Sequence, residues 1–561
     1  MGKDGKKSKW PSGVISSLST PYGRQKAADG LYEWLVQPVH ASTLGVFRFL
    51  YGLVMCAQIF KWWLIFVRFE GTLYSLPYPG VGFVKPLHPT TGNIVLCICL
   101  IASLFVALGY FTRPSTCITF LTFAYLFHMC ESLHNNHYIL MCHVNFVGSF
   151  LNWGEWCSID SMRKKNDSQN KVAKIPYWNL LLMQLLFTIP YLYGSFAKLN
   201  SDWLFRAEPV RMWMVHKEGW VLHQWWFPWF ICWSGTLFDM TISFLLFWKK
   251  TRFLLAFPGA IMFNVSNKLI FNIGVFPYAM ICSLVLFLDD DTPAIFWNSL
   301  KGMPPPIIPI SKSDDPDNKK DMRKPSGWRG KVYKRFVLIF FSGFVIFHSL
   351  YPLRHFVLYK SNPSWTEEGH VGAWHMKLRS KHSWLYLTAE EMDGTETVLM
   401  PDYDPLLLRL QLKIVTAHPH ALLLYVRRLN QVFEEAKRPL KTLKVKSCAS
   451  LNANPAQELY IDSANLLDYM NNYERIGVTG IGKFLYGQKE APLCDHLPNP
   501  YTREGKANTK AAFKQLYADA NFFQTLIRDD SMGRSYQRLL HRSVDPKTGR
   551  EKLEYGFVWN T

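Results

Sequence analysis

At 561 residues, 49% hydrophobic and 16% aromatic, the chain is long enough for two separate cores. Its mean hydropathy near zero averages apolar runs, dense up to about Tyr351, with a polar remainder, which excludes a wholly soluble or wholly embedded protein. A net charge of +20 points first to nucleic acid, but the basic residues gather at 3–9, 163–174, 249–252 and 319–335, each beside an apolar run; that is the pattern of cytoplasmic loops, and no nucleic-acid partner is expected.

Residues 1–40 read as a basic cytoplasmic arm. About thirty basic and polar positions precede Leu31, and the first apolar stretch is too long for a signal-peptide core. Residues 41–290 read as a transmembrane domain, with spans expected at about 44–67, 94–111, 114–130, 138–153, 176–193 and 228–247. Trp203, Trp213, Trp220, Trp225, Trp226 and Trp229 form an interfacial belt ahead of the sixth. Between 253 and 288, about 35 apolar residues are interrupted by Asn264, Asn267, Lys268 and Asn272; at 1.5 Å per residue this is too long for one crossing and just enough for two.

A polar, Pro-rich cytoplasmic loop (291–335) leads to a ninth span at 336–351. Nine crossings from an inside N-terminus put the rest of the chain in a lumen and all four basic clusters on the cytoplasmic side. Residues 352–485 then form a mixed α/β, partly β-rich lumenal domain. It carries a hairpin over 382–400 about Asp393-Gly394, a helical stretch from 405 to 438 broken near Pro419, and strands at 444–451 and 458–462. The extension 486–561 shows turns and a polar helical tail. Of 11 cysteines only Cys448 and Cys494 lie in the soluble part, which leaves one disulfide open; the others are small apolar fillers. The fold class expected is a polytopic α-helical membrane domain of about nine spans followed by this lumenal domain.

Lys198 closes the fifth apolar run at the lumenal mouth of its span. An ammonium at the edge of hydrocarbon loses hydration, and the neutral amine is then a usable base. A lone lysine there serves as well as a snorkelling anchor, so its company decides. On the same side lie the loop from Glu131 to His137, Asp202 with Trp203, the stretch from Asn264 to Asn272, and everything after Tyr351. A pocket among them admits a lipid-soluble compound from below and a water-soluble partner from above. Singly, each has an ordinary role: His134 and His137 as helix caps, the asparagines as partners for freed backbone at a kink, Arg48 as a buried hydrogen-bonding residue. The histidines lack partners at ligand spacing, so no metal is expected.

Five motifs in order resemble a known family. Leu44-Gly45-Val46-Phe47-Arg48-Phe49-Leu50-Tyr51-Gly52 is similar to the opening motif of the vitamin K-dependent gamma-carboxylases and their wider HTTM (horizontally transferred transmembrane) relatives. Asn135-Asn136-His137-Tyr138 resembles the Asn-Asn-His element, and Lys198-Leu199-Asn200-Ser201-Asp202-Trp203 the Lys-Leu-x-x-Asp-Trp element. Ile273-Gly274-Val275-Phe276-Pro277-Tyr278 matches a further stretch. The run from Pro352 to Arg379, with Trp365, Glu368, His370, Trp374 and His375, resembles the start of the lumenal domain.

The resemblance, over about 44–462, implies a monooxygenase coupled to a carboxylase. Lys198 would deprotonate vitamin K hydroquinone, or a related quinol, so that it reacts with O2. The strong base so formed removes a glutamate γ-proton, CO2 adds, and the quinone leaves as epoxide. His137 would assist by hydrogen bonding. The implied pocket comprises Asn135, Asn136, Asp202, Trp203, Asn264, Asn267, Asn272, Trp365, Glu368, His370, Trp374, His375 and Arg379. Implied partners are the bilayer, a glutamate-containing peptide, protein or small acid, and a quinone reductase; the implied location is the endoplasmic reticulum membrane. Elementary chemistry agrees, because a glutamate γ-proton is too weakly acidic for any side-chain base and cofactor oxidation must drive its removal.

Two departures bear on substrate handling. The family's disulfide from its first lumenal loop has no match, because residues 68–92 lack cysteine, and the chain ends at Thr561, short of the animal enzymes' propeptide-holding region. The alternatives are the same chemistry on a substrate without a propeptide, or a non-catalytic scaffold or transporter.

Overall fold

Apolar runs of the right length dominate the first two thirds of the computed structural model, which describes residues 21–66, 76–78, 80–87, 89–165, 173–215, 217–271, 273–302, 327–359, 362–470, 485–497, 501–520, 543–544 and 551–552. Among the described residues, helices lie near the expected spans, in order: α1 (Ser42–Phe66), α2 (Pro89–Leu108), α3 (Thr112–His128), α4 (Asn136–Gly148), α5 (Tyr177–Lys198), α6 (Phe227–Phe247), α7 (Phe257–Phe271), α8 (Phe276–Ser283) and α9 (Gly327–Leu350). Among the described residues, six stretches are long and apolar enough to cross a membrane: Ser42–Leu64, Thr90–Leu108, Tyr177–Lys198, Phe227–Phe247, Lys249–Phe271 and Gly327–Leu353. The protein is thus a multi-pass membrane protein with six candidate crossings; α3, α4 and α8 are shorter.

Enclosure differs along the bundle. Of the α5 window 67% is buried inside the protein, against 17% for the crossing that ends in α7, so α5 is the central element and α7 an outer one. Arg48 ties the helices at the far end from Lys198. Its guanidinium donates to the carbonyls of Trp153 (3.1 Å), Val106 (2.5 Å), Ala107 (2.7 Å) and Cys157, capping the C-terminus of α2. β1 (Pro38–His40) pairs antiparallel with β2 (Lys174–Pro176) and fixes where α5 begins.

The C-terminal domain is built on an antiparallel sheet of order β4-β3-β5: β3 (Lys381–Glu391), β4 (Glu396–Leu399) and β5 (Leu440–Leu451). Leu385, Leu387 and Ala389 alternate inward along β3, as one buried face requires. The hairpin turns at Gly394, whose φ of 88° suits a residue without Cβ. α10 (Arg409–Ala417) and α11 (Pro419–Glu435) flank the sheet and are separated at Pro419, which cannot donate its backbone nitrogen to a continuing helix. α12 (Arg503–Asp519) covers β4. Cys448 and Cys494 are bonded, with Cα atoms 6.1 Å apart.

Two expectations fail. The break expected over 264–272 does not begin at its polar residues 264–268: Asn264 Nδ2 donates to Ala260 O (2.9 Å) and to Tyr191 OH (3.1 Å), so its N–H groups are satisfied inside an unbroken α7, and among the described residues the chain turns at 273–275. The segment 458–462 makes one isolated bridge, Tyr460 with Leu485, instead of a strand. There the Ser447 hydroxyl accepts from the N–H groups of Leu459 (3.3 Å) and Tyr460 (3.0 Å) and replaces the ladder. Asn272 lies outside the described residues.

Candidate active site

Lys198 is the last residue of α5, and its amine points into the bundle. Nζ lies 2.5 Å from Asp239 Oδ2 on α6 and 3.4 Å from Gly235 O, with both side chains almost fully buried. Small residues permit this approach: a Cβ on Gly194 would lie 3.2 Å from Asp239 Oδ2, and one on Gly235 3.9 Å from Nζ. Asn200 caps the next helical turn by accepting from Trp203 N (3.0 Å). The Trp203 indole then donates to Cys232 O and Thr236 Oγ1, each at 3.0 Å, which locks the end of α5 against α6. Trp203 and Phe263 place their rings 5.6 and 5.7 Å from Nζ, and Phe238 stacks on Phe263. Asp239 Oδ1 and Asn264 Oδ1 are buried without a hydrogen-bond partner.

A second locus surrounds His137, buried in the first turn of α4 against Tyr138 and Phe276. A Cβ on Gly274 would meet His137 Nε2 and Lys61 Nζ, each at 3.6 Å, and Lys268 Nζ reaches Gly274 O at 3.5 Å. The α7–α8 segment touches both loci, the Lys198 locus at Phe263 within α7 and the His137 locus at Gly274 and Phe276 where the chain turns into α8.

The remaining expected residues divide. Asn264 joins the Lys198 locus. Asn136 is half-buried beside His137 with an unpartnered Oδ1, while Asn135 is exposed and Asn267 half-buried. Asp202 is a tie between domains: it accepts from Arg206 (3.0 Å), Asn452 (3.1 Å) and Asn454 (3.4 Å). Trp365 donates to Tyr486 O (3.0 Å) and packs inside the C-terminal domain; Glu368 is half-buried nearby. The Trp374–Met376 turn reaches Gly194 and so covers the Lys198 site, and both Trp374 and Lys377 hold left-handed backbone (φ 59° and 55°). Arg379 pairs with Glu367, and burial pulls its guanidinium down to about 10.

At the junction of the two domains, Glu131 from the α3–α4 connection accepts from His418 Nδ1 (2.9 Å) and His420 Nδ1 (3.4 Å). Burial alone would raise the Glu131 carboxyl; the two imidazoles facing it override that and hold it well below the usual carboxylate range. Beside the end of α5 opens a cavity of about 880 Å³, lined by Phe196, Leu199, Asp202, His355, His375 and Asn454 among others.

Comparison with known families follows this division. The profile of the HTTM domain matches residues 36–291, and that of the vitamin K-dependent gamma-carboxylase lumenal domain matches residues 333–476. The chain belongs to the vitamin K-dependent gamma-carboxylase family. No solved structure gives a significant match. Lys198, Asp239, His137 and Glu131 thus fall in the HTTM domain, and Glu367, Arg379, His418 and His420 in the carboxylase lumenal domain. The chain is accordingly a membrane-embedded member of an enzyme family. Sequence reasoning missed Asp239, although one acid inside an apolar crossing is itself a signal of function.

Proposed function

We propose that this protein is a vitamin K hydroquinone-dependent glutamyl gamma-carboxylase coupled to quinone epoxidation, with Lys198 as its base. One observation carries the reading. Beside the Lys198–Asp239 pair, two buried oxygens lack donors and the walls are aromatic, which fits a flat aromatic diol offering two O–H groups. Vitamin K hydroquinone, bound with O2, supplies the oxidative driving force that removal of a glutamate γ-proton requires.

The protein's own groups do the rest. A Lys–Asp pair keeps zero net charge whether the shared proton sits on Nζ or on Oδ2, so moving it to Asp239 frees the amine without leaving an uncompensated charge in a low-dielectric site. Lys198 Nζ then accepts a proton. Asp239 Oδ1 and Asn264 Oδ1 orient the hydroxyl donors, and Trp203, Phe238 and Phe263 exclude water. His137 assists by hydrogen bonding from its own locus. The reading includes all nine helices as crossings, with the C-terminal domain on the lumenal side of the endoplasmic reticulum membrane and the glutamyl substrate arriving from that side.

The test is vitamin K epoxide formation by purified protein with reduced vitamin K and O2, together with labelled CO2, with and without a short glutamyl peptide. Epoxide with peptide-dependent CO2 incorporation is expected. Absence of epoxide removes the reading, and epoxide without incorporation moves the chemistry to a different acid.

A further inference from the structure

One group of side chains is used by nothing above. His134, His370, His375 and His355 follow one another with ring centroids 5.9, 6.0 and 5.0 Å apart. The first comes from the connection before α4; the other three come from the segment after α9. His134 is three residues from His137, lies within electrostatic range of it, and is held at Nδ1 by Tyr78 OH (3.0 Å). At the other end, His375 and His355 line the 880 Å³ cavity. The row therefore leads from the edge of the His137 locus to the water-facing surface between the domains.

Packing alone does not account for it. Buried ring nitrogens are normally paired, yet Nε2 of His134, His370 and His355 is buried with no protein partner. A metal does not account for it either, because the rings stand in file and, among the described residues, no three metal-ligating side chains converge. Burial, reinforced by the Arg379 guanidinium, pushes His134 down to about 3, and burial, with His355 nearby, pushes His375 to about 4; burial holds His370 well below the usual imidazole range. The charged and titratable groups facing His134 are Arg379, Glu131, His418 and His128; Glu131 is engaged by His418 and His420, and Arg379 by Glu367. An uncharged lane thus runs beside a charged junction. Neutral imidazole accepts a proton at one nitrogen while donating from the other, and rings at these separations are joined directly or through a single water.

We propose that this row is the exit by which protons leave the His137 side of the reaction site for the lumenal cavity. The inference rests on the carboxylase reading: a γ C–H bond breaks, a bond from that carbon to CO2 forms, the electron pair ends on the new carboxylate, and one proton per turnover is left over. The buried site cannot retain that charge.

His370→Phe removes both nitrogens at similar ring size. Its carboxylation kcat is expected to fall on the order of 10-fold to 100-fold, with the peptide KM unchanged and much of the rate restored by added imidazole. An unchanged kcat overturns the proposal. So does a raised KM without imidazole rescue, which would make the rings substrate contacts. If His370→Phe is not recovered folded, His375→Gln carries the same test. Deuterium exchange at the imidazole C2 position, read by mass spectrometry on the unloaded protein, is independent of catalysis. His134 and His370 are expected to exchange along with His355, and their failure to do so overturns the row even in an active enzyme. An inactive wild-type protein sinks the carboxylase reading and leaves the exchange result standing.

Discussion

Two buried charge systems, Lys198–Asp239 and the Glu131–His418–Glu367–Arg379 junction, differ in how many charged or titratable partners each group meets. At the junction, Glu131 faces two imidazoles, and Glu367 faces Arg379, Lys381 (3.7 Å) and His418 (3.8 Å). Inside the membrane domain, one amine meets one carboxylate, and an oxygen of that carboxylate and one of Asn264 remain without donors. A cross-linked cluster holds two domains together; a sparse pair keeps bonding capacity for something that arrives. Buried ions are costly in both places, so each arrangement needs its own reason to persist.

The sharpest way to break this comparison is to remove the amine. Lys198→Ala is expected to abolish epoxide formation and carboxylation together in a protein that still elutes as folded. Lys198→Arg should not restore them, because guanidinium does not give up its proton in proteins; an active arginine variant would return Lys198 to a membrane anchor. His137→Ala should leave a folded protein slowed by about 10² to 10⁴-fold in kcat, and a change confined to KM would make the ring a binding group only. For Asp239→Asn the expected loss is about 10²-fold in kcat across the pH range, because the amine's proton has lost its alternative seat. Retained kcat with activity extended to lower pH would instead make Asp239 a simple counter-ion.

The junction should respond in stability more than in chemistry. Glu131→Gln leaves two buried imidazoles without their acceptor charge and is expected to cost about 3–5 kcal/mol, read as a lower unfolding temperature. Wild-type protein should also weaken in acid. His134 and His375 are pushed below their ordinary 6.5, to about 3 and about 4, so the unfolded chain binds more protons below pH 6.5. The stabilisation is fully present above 6.5 and drains away as pH falls toward 4; a melting temperature flat across that interval would contradict the burial of these rings.

How much of this was legible in the sequence follows from range. The helices, the Asp393-Gly394 turn and the break at Pro419 are local, and hydrophobic runs and turn chemistry announce them. Lys198 and His137 were singled out through their motifs, and both are buried in the structure. Asp239 was not, because its meaning depends on a partner 41 residues away on another helix. The break expected over 264–272 was placed too early for a related reason: whether an asparagine ends a membrane helix depends on whether a neighbour such as Tyr191 can take up its amide N–H. Trp365 looked like a pocket residue and is a core one, since its indole is spent on Tyr486.

The outer position of α7 has a consequence for the medium in which the protein works. Phe263 and Asn264 face the Lys198 locus, while Ile261, Met262, Val265 and Leu269 on the same helix are exposed on the protein's surface. One helix thickness, about 10 Å, separates the candidate site from the acyl chains. The lipid is in effect the outer wall of the candidate site, and its thickness and fluidity bear on how firmly that wall is pressed shut.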